Sequence, residues 1–507
     1  LVGGYCRRDP DPIIAQKYAL GIASYLLYSE YEMFERLNVR EHVTSWFHQV
    51  AAYLPRFAEL SHASRGYVLR SLNNEALIFN SRQYDRVDAY MQILRRALTV
   101  FNDPAIRALE PTIPWDAFVF AVYRNCLRLS DTIEQGHGLQ YIPDIQRAAA
   151  YLTEEDAPDA NAALIDRYSA IELENTLGHI DSETCVARMN ALCAERDKTR
   201  FDREGIDQNV NVPSFTLLYE TRLSPVNVKR MNRKIRAVIA YVNAFRKQTG
   251  QFSHNYAVAN FIRFYPDTPG ILPFRDVLQH LMLAMHVPTY VHSRMVSSLA
   301  VLIARALLAA DPAYFVGSCG IVSAKDAVAR AKELLSFIRF AGLFHDTGKF
   351  YCMDVISQYS RRLVNAEFDI IRLHAECGFE ILSDHPSTAA YAEVALVHHI
   401  TYERRGGYAR EFLPPREEAS AVSDIIRIAD AIDASTDDIG RCYAVCKTQE
   451  AIMAELLDTP MGYSPRIIAA MSTPAMQRKL RHVLGDVRSR IYEKAYVFHP
   501  DLTPPVR

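Results

Sequence analysis

The sequence predicts an all-α chain, a helical N-terminal region followed by a second helical bundle. Apolar residues recur at three- and four-residue spacing through 13–60, 66–101, 116–130 and 160–198, and again beyond residue 274. That is the period of amphipathic helices, and no series of residues alternates as half-buried strands would. Pro266, Pro269, Gly270 and Pro273 fall within eight residues and mark a break between the two halves.

In order along the chain, residues 1–195 read as a helical domain of unassigned role, a sensor or a scaffold. Within it, Ala76 through Leu98 reads as a helical hairpin. Residues 196–272 read as a linker and connecting helix. The polar run Glu195–Asn211 suggests a hinge or exposed loop, and Arg222–Lys247 a basic helix with Ile235, Val238, Ile239, Val242 and Phe245 on its apolar side. Residues 273–507 read as one further helical unit.

Composition narrows the function classes. The chain has 507 residues with 57 Lys+Arg against 59 Asp+Glu, a formal net charge of −2. Nothing in that balance suits a long nucleic-acid backbone, although a small anion needs only a local basic pocket. Nine cysteines, an odd number without a Cys-x-x-Cys pair, fit reduced thiols in a cytoplasmic chain. Cys442 and Cys446, one helical turn apart, are the pair nearest to a metal or redox motif. No window supplies the roughly 20 consecutive apolar residues of a membrane span. The chain opens on Leu1 and reads as a fragment or processed product of a longer protein.

The chemistry is concentrated in residues 292–430. In Phe344-His345-Asp346-Thr347-Gly348-Lys349 an imidazole and a carboxylate adjoin, able to hold a hard or borderline cation, with a lysine one turn on for phosphate. His345 and Asp346 end a helix with Leu334, Leu335, Phe337, Ile338 and Ala341 apolar, and Gly348 reads as its stop. His292 precedes a stripe of Val296, Leu299, Leu302, Ile303, Ala306 and Leu307; His374 opens a helix with Phe379, Ile381 and Leu382. His398 and His399 follow Val394-Ala395-Leu396-Val397, and Asp430 follows Ile425-Ile426-Arg427-Ile428-Ala429. Burying so many ionisable groups costs several kcal/mol apiece unless cations neutralise them. His280, His286 and His385 read instead as ordinary hydrogen-bonded histidines.

These segments resemble the HD superfamily of phosphohydrolases, and within it the HD-GYP branch. The resemblance rests on His292-Ser293, on the His345-Asp346-Thr347-Gly348-Lys349 signature, and on Leu373-His374-Ala375-Glu376-Cys377-Gly378. It rests further on Val397-His398-His399 with Gly406-Gly407-Tyr408, on Ala429-Asp430-Ala431-Ile432-Asp433, and on Tyr463-Ser464-Pro465. Ile400 stands where the family has Glu, and Ala409 replaces the Pro of Gly-Tyr-Pro. The resemblance implies an HD-type helical bundle in residues 273–507 and hydrolysis of cyclic di-GMP to the linear dinucleotide pGpG, and onward to GMP, by a metal-bridging hydroxide. Seven donors exceed what one ion of roughly four to six ligands can use. Two divalent ions are therefore expected, one on His292, His345 and Asp430, the other on His374, His398 and His399, with Asp346 bridging. Mixed nitrogen and oxygen donors suit iron or manganese, with zinc also compatible. Asp346 and Lys349 are the expected catalytic residues, Lys349 holding a phosphate oxygen. Arg410 or Arg416 would hold a second phosphate and Tyr408 would touch a base or shape the loop. The partner expected is a small cyclic dinucleotide, and a homodimer is compatible. Two alternatives fit the same residues: an HD-type enzyme acting on another nucleotide, and a non-catalytic nucleotide-responsive signalling protein.

Overall fold

The computed structural model describes residues 11–27, 39–78, 86–153, 164–250, 254–357, 363–409, 420–439, 446–458 and 462–496. Every regular element among them is a helix, as the apolar periodicity predicts. The chain divides into two compact units, Leu1–Pro225 and Val226–Arg507.

The first unit packs its helices around a core that includes Val50, Leu69, Leu72, Tyr90, Leu94, Phe101, Val122, Leu127, Ile145 and Leu152. The expected hairpin has helix Val87–Phe101 as its second arm, and residues 79–85 lie outside the described residues. Of the run expected to be a hinge or exposed loop, residues 196–202 are a largely exposed loop, whereas the rest is a packed helical segment, Arg203–Ile206 continuing through a wide turn into Val212–Glu220. Its polar side chains face inward and bind backbone. Asn209 Nδ2 donates to the carbonyls of Asp197 and Gly205 at 2.8 and 2.9 Å, and Gln208 Oε1 accepts from Asp197 N–H at 2.9 Å. Polar composition misleads for this second half because the Asn209 and Gln208 side chains are buried against backbone groups rather than facing water.

In the second unit, helix α1 (Val228–Thr249) begins at Asn227, whose side chain accepts from Arg230 N–H, and stops at Gly250. It buries Ile235, Val238, Ile239, Val242 and Phe245 and packs on α2 (Phe274–Met285). The division between units therefore falls after Pro225, inside the stretch read as linker, and the Pro/Gly turn at 266–273 lies within the second unit. An apolar stripe on α1 must be covered, and α2 covers it.

Helix α3 (Val287–Ala310) is the centre of this unit. It has the length and apolar composition to cross a membrane, but half of its apolar window is buried, with Val296, Leu299, Ala300, Ile303 and Leu307 in the core. Helix α4 (Ala331–Phe344) crosses it closely: a Cβ on Gly342 would stand 2.7 Å from Ser297 Cα, and Ser297 Oγ donates to Arg339 O at 2.8 Å. Helices α5 (His374–Ser383), α6 (Ala392–Val397), α7 (Ser420–Thr436) and the C-terminal α8 (Arg488–Tyr496) complete the frame used below.

On α7, Asp424 is buried and accepts a hydrogen bond from Tyr314 Oη at 3.0 Å. Burial pushes its carboxyl up to about 6, above the ordinary 3.8. The folded state thus holds this proton more tightly than the unfolded chain, and the stability it confers is complete below pH 3.8 and lost as pH rises through 6. Asp424→Asn should therefore be about 1–3 kcal/mol more stable than the parent at pH 8 and nearly equal to it at pH 4. Denaturant unfolding at both pH values measures this, and an equal difference at the two would contradict it.

Candidate metal centre

Five chain segments meet at one point, and the local structure of each explains how. His292 lies in the second turn of α3 rather than before its start, because the helix begins at Val287 with Pro288 in its first turn and His286 as its cap. Helix α4 ends at Phe344, and His345 and Asp346 lead into a tight turn, Thr347–Tyr351. Leaving helical geometry lets these neighbours aim at the same centre, as adjacent residues inside a helix could not.

Gly348 acts differently from the helix stop expected of it. Its φ lies outside the left-handed region. Its role is close approach, since a Cβ there would meet His374 O at 1.9 Å and Gly378 N at 2.4 Å. The missing side chain lets the start of α5, with His374, rest directly on the His-Asp turn. His398 and His399 leave the end of α6, and Gly407 (φ +93) folds back over them; a Cβ there would stand 2.1 Å from His399 O. Asp430 comes from α7.

The structure brings all seven expected donors together. His292 Nε2 lies 3.0 Å from Asp430 Oδ1 and 3.4 Å from Asp346 Oδ2. His345 Nε2 is also 3.4 Å from Asp346 Oδ2. The other oxygen, Asp346 Oδ1, faces His374 Nε2 at 3.3 Å and His398 Nε2 at 3.9 Å. His399 Nδ1 lies 3.9 Å from Asp430 Oδ2. Among the described residues, three groups have donor atoms within 4.8 Å of one another: His374/His398/His399, His292/His345/Asp430, and His345/Asp346/His398.

The protonation pattern suits a cation. His345, His374 and His398 direct Nδ1 at the carbonyls of Gly342, Ile371 and Ala395, and His292 Nδ1 meets Asp433 Oδ2 at 2.7 Å. Nδ1 must carry the proton in each case, leaving an Nε2 lone pair turned inward. His374 and His398 then face each other with two lone pairs 3.3 Å apart, a pairing that only a shared positive charge makes favourable. Burial keeps His345 below its ordinary range, holds His398 and His399 well below it, and brings His374 to about 4, so the rings stay neutral donors. Burial alone would raise the Asp346 carboxyl, and the Lys349 ammonium bonded to it reverses this, holding it well below the usual range. The donor set fits divalent metal.

The remaining candidates fall as follows. The Lys349 ammonium is bonded to Asp346 Oδ2. Tyr408 lies over His399, ring centroids 4.3 Å apart, and edge-on to His374. Ile400, where Glu was expected, is buried with Ala375, Leu396, Val397 and Ala409 beneath Tyr408. Arg410, Arg416 and Cys442 lie outside the described residues. His280, His286 and His385 each make a local hydrogen bond, to Asp276 O, Thr289 and Ser387.

Sequence reasoning missed three supports. Asp433 takes the far side of His292, Arg488 pairs with Asp433 at 2.7 Å, and Arg427 donates to the carbonyls of His399 and Gly462. Asp433 carried one signal, its place one turn beyond Asp430 on the same face of α7. The two arginines carried none, because their partners are remote in sequence.

Residues 289–435 match the HD domain family. Over 150 residues the chain is 29% identical to a cyclic di-GMP phosphodiesterase of Pseudomonas aeruginosa, covering 30% of this chain and 31% of that protein. Over 138 residues it is 33% identical to a cyclic di-GMP phosphodiesterase of Thermotoga maritima, covering 26% of this chain and 36% of that protein. The chain thus spans about a third of the length of these curated relatives. No solved structure matches it. The seven clustered donors all lie inside the matched segment, and the second unit of this chain carries an HD domain.

Proposed function

We propose that this chain is a metal-dependent phosphodiesterase of the HD-GYP type that opens a cyclic dinucleotide, cyclic di-GMP before others, to linear pGpG and then GMP. The observation that carries the proposal is the orientation of Asp346, whose Oδ2 faces His292 and His345 while Oδ1 faces His374 and His398. A carboxylate with two separate donor sets on its two oxygens is built to bridge. One ion would rest on His292, His345 and Asp430, the other on His374, His398 and His399, and the nitrogen-rich set favours iron or manganese. Bound there, such a pair activates water and stabilises charge developing on the phosphoryl oxygens.

The chain's own groups supply the rest. Neutral imidazoles, fixed through Nδ1, keep the centre from reorganising as charge develops. Lys349 holds its positive charge at the bridging carboxylate and would take a non-bridging phosphate oxygen. Tyr408 orients the rings of His374 and His399 and offers a face to a base, with Arg410 or Arg416 as candidates for the second phosphate. The names of the two relatives support cyclic di-GMP as substrate. A second reading, another nucleotide, has one observation behind it: the position after the double His packs into an apolar cluster and presents no carboxylate.

Chain loaded with Fe(II) or Mn(II) should convert cyclic di-GMP to pGpG, followed by chromatography of the products. Turnover of a different nucleotide with none of cyclic di-GMP would favour the second reading. Lys349→Ala should keep its metal and lose about a hundredfold in kcat; loss of metal in that variant would contradict the role given to Lys349.

A further inference from the structure

The imidazoles of the centre are held in two ways. His345 and His398 follow the ends of α4 and α6, and His374, while opening α5, follows the end of the preceding helix Asn365–Arg372; each turns Nδ1 onto the carbonyl three residues back, in a last turn whose carbonyls lack helical N–H partners. His292 has no such carbonyl, because inside α3 the carbonyls behind it belong to the helix ladder. Its Nδ1 reaches instead to Asp433, 141 residues away in sequence, at 2.7 Å. The other Asp433 oxygen accepts from Arg488 Nη2 at 2.7 Å. Arg488 comes from α8 and is fixed in turn by Thr436, donating to its carbonyl at 2.6 Å and its hydroxyl at 2.8 Å. All three members are buried: His292 is 4% exposed, Asp433 1% and Arg488 6%.

We propose that Arg488 and Asp433 are positioning residues for one half of the metal centre: Arg488 orients the Asp433 carboxylate, and Asp433 fixes His292 with Nε2 turned toward Asp430 and Asp346. The inference rests on the two-ion reading above. It makes the C-terminal helix part of the centre, although α8 supplies no donor and lies beyond the segment matched to the HD family. Among the described residues the His374/His398/His399 half has no link to Arg488, so the two ions should differ in their dependence on it. Supports of this kind usually change metal affinity by about 10–100-fold.

The test uses the full chain and Mn(II) alone, with metal counted by mass spectrometry, affinity read by chelator competition, and electron paramagnetic resonance reporting whether the ions are coupled. The parent should hold two coupled ions. Arg488→Met should weaken one of them by about 10–100-fold and leave an isolated Mn(II) signal. Asp433→Asn, a milder change that keeps an acceptor for His292, should weaken the same ion by about tenfold. In a His292→Ala background, Arg488→Met should change affinity no further. The inference is overturned if Arg488→Met and Asp433→Asn keep both ions at parental affinity, if both ions weaken equally, or if the effects of His292→Ala and Arg488→Met add. A parent that takes up no Mn(II) contradicts the two-ion reading and this inference together, whereas a two-ion parent with unaffected variants contradicts this inference alone.

Discussion

Asp346→Asn should abolish turnover, lowering kcat by at least about a thousandfold, or about 4 kcal/mol of transition-state stabilisation, and should reduce the bound metal. The amide keeps the shape of the side chain and removes the charge whose two oxygens face His292 and His345 on one side and His374 and His398 on the other. It also leaves the Lys349 ammonium beside a neutral group, and the nearby imidazoles lose the carboxylate that offsets a cation's charge. His345→Ala should do the same, since His345 Nε2 is buried without a hydrogen-bond partner and its removal strips a donor from the half that also holds His292 and Asp430. Metal analysis beside an activity assay checks both variants. A variant that kept full metal and rate would remove Asp346 from the centre.

Gly348→Ala should be nearly as damaging without altering any donor. The added methyl would lie 1.9 Å from His374 O and 2.4 Å from Gly378 N, both backbone atoms that cannot turn aside. Either the His-Asp turn or the start of α5 must move, separating His374 from Asp346. Overpacking of this kind costs about 1–3 kcal/mol or more, and a shift of even 1 Å would spoil the shared coordination. The expected result is a lower melting temperature together with lost metal. Gly485→Ala is the control, as no atom lies within 4 Å of its would-be Cβ; it should leave both quantities unchanged. Equal behaviour of the two variants would contradict the packing role of Gly348.

Much of this centre was legible in the chain because its donors sit beside local signals. His345 and Asp346 end an apolar helix, His374 opens one, and His398 and His399 close another, so periodicity alone placed them at helix ends. The all-α class was legible for the same reason. What the sequence hid depends on contacts between distant segments. Gly348 reads as a helix stop until α5 is known to lie against it. Arg488 is one arginine among many until Asp433 is found beside it, 55 residues away in sequence. The polar segment before Val212 looked like a hinge because composition does not report which way Asn209 and Gln208 point. The division after Pro225 was hidden because the apolar stripe of α1 does not name its partner, and α2 lies beyond the prolines that suggested a boundary.

The most direct measurement is anomalous diffraction from crystals of the metal-loaded chain. Two scatterers should appear, one on each side of Asp346, the first among His292, His345 and Asp430 and the second among His374, His398 and His399. A map with no anomalous peak among these residues, or with a single peak that Asp346 does not touch, would contradict the two-metal account.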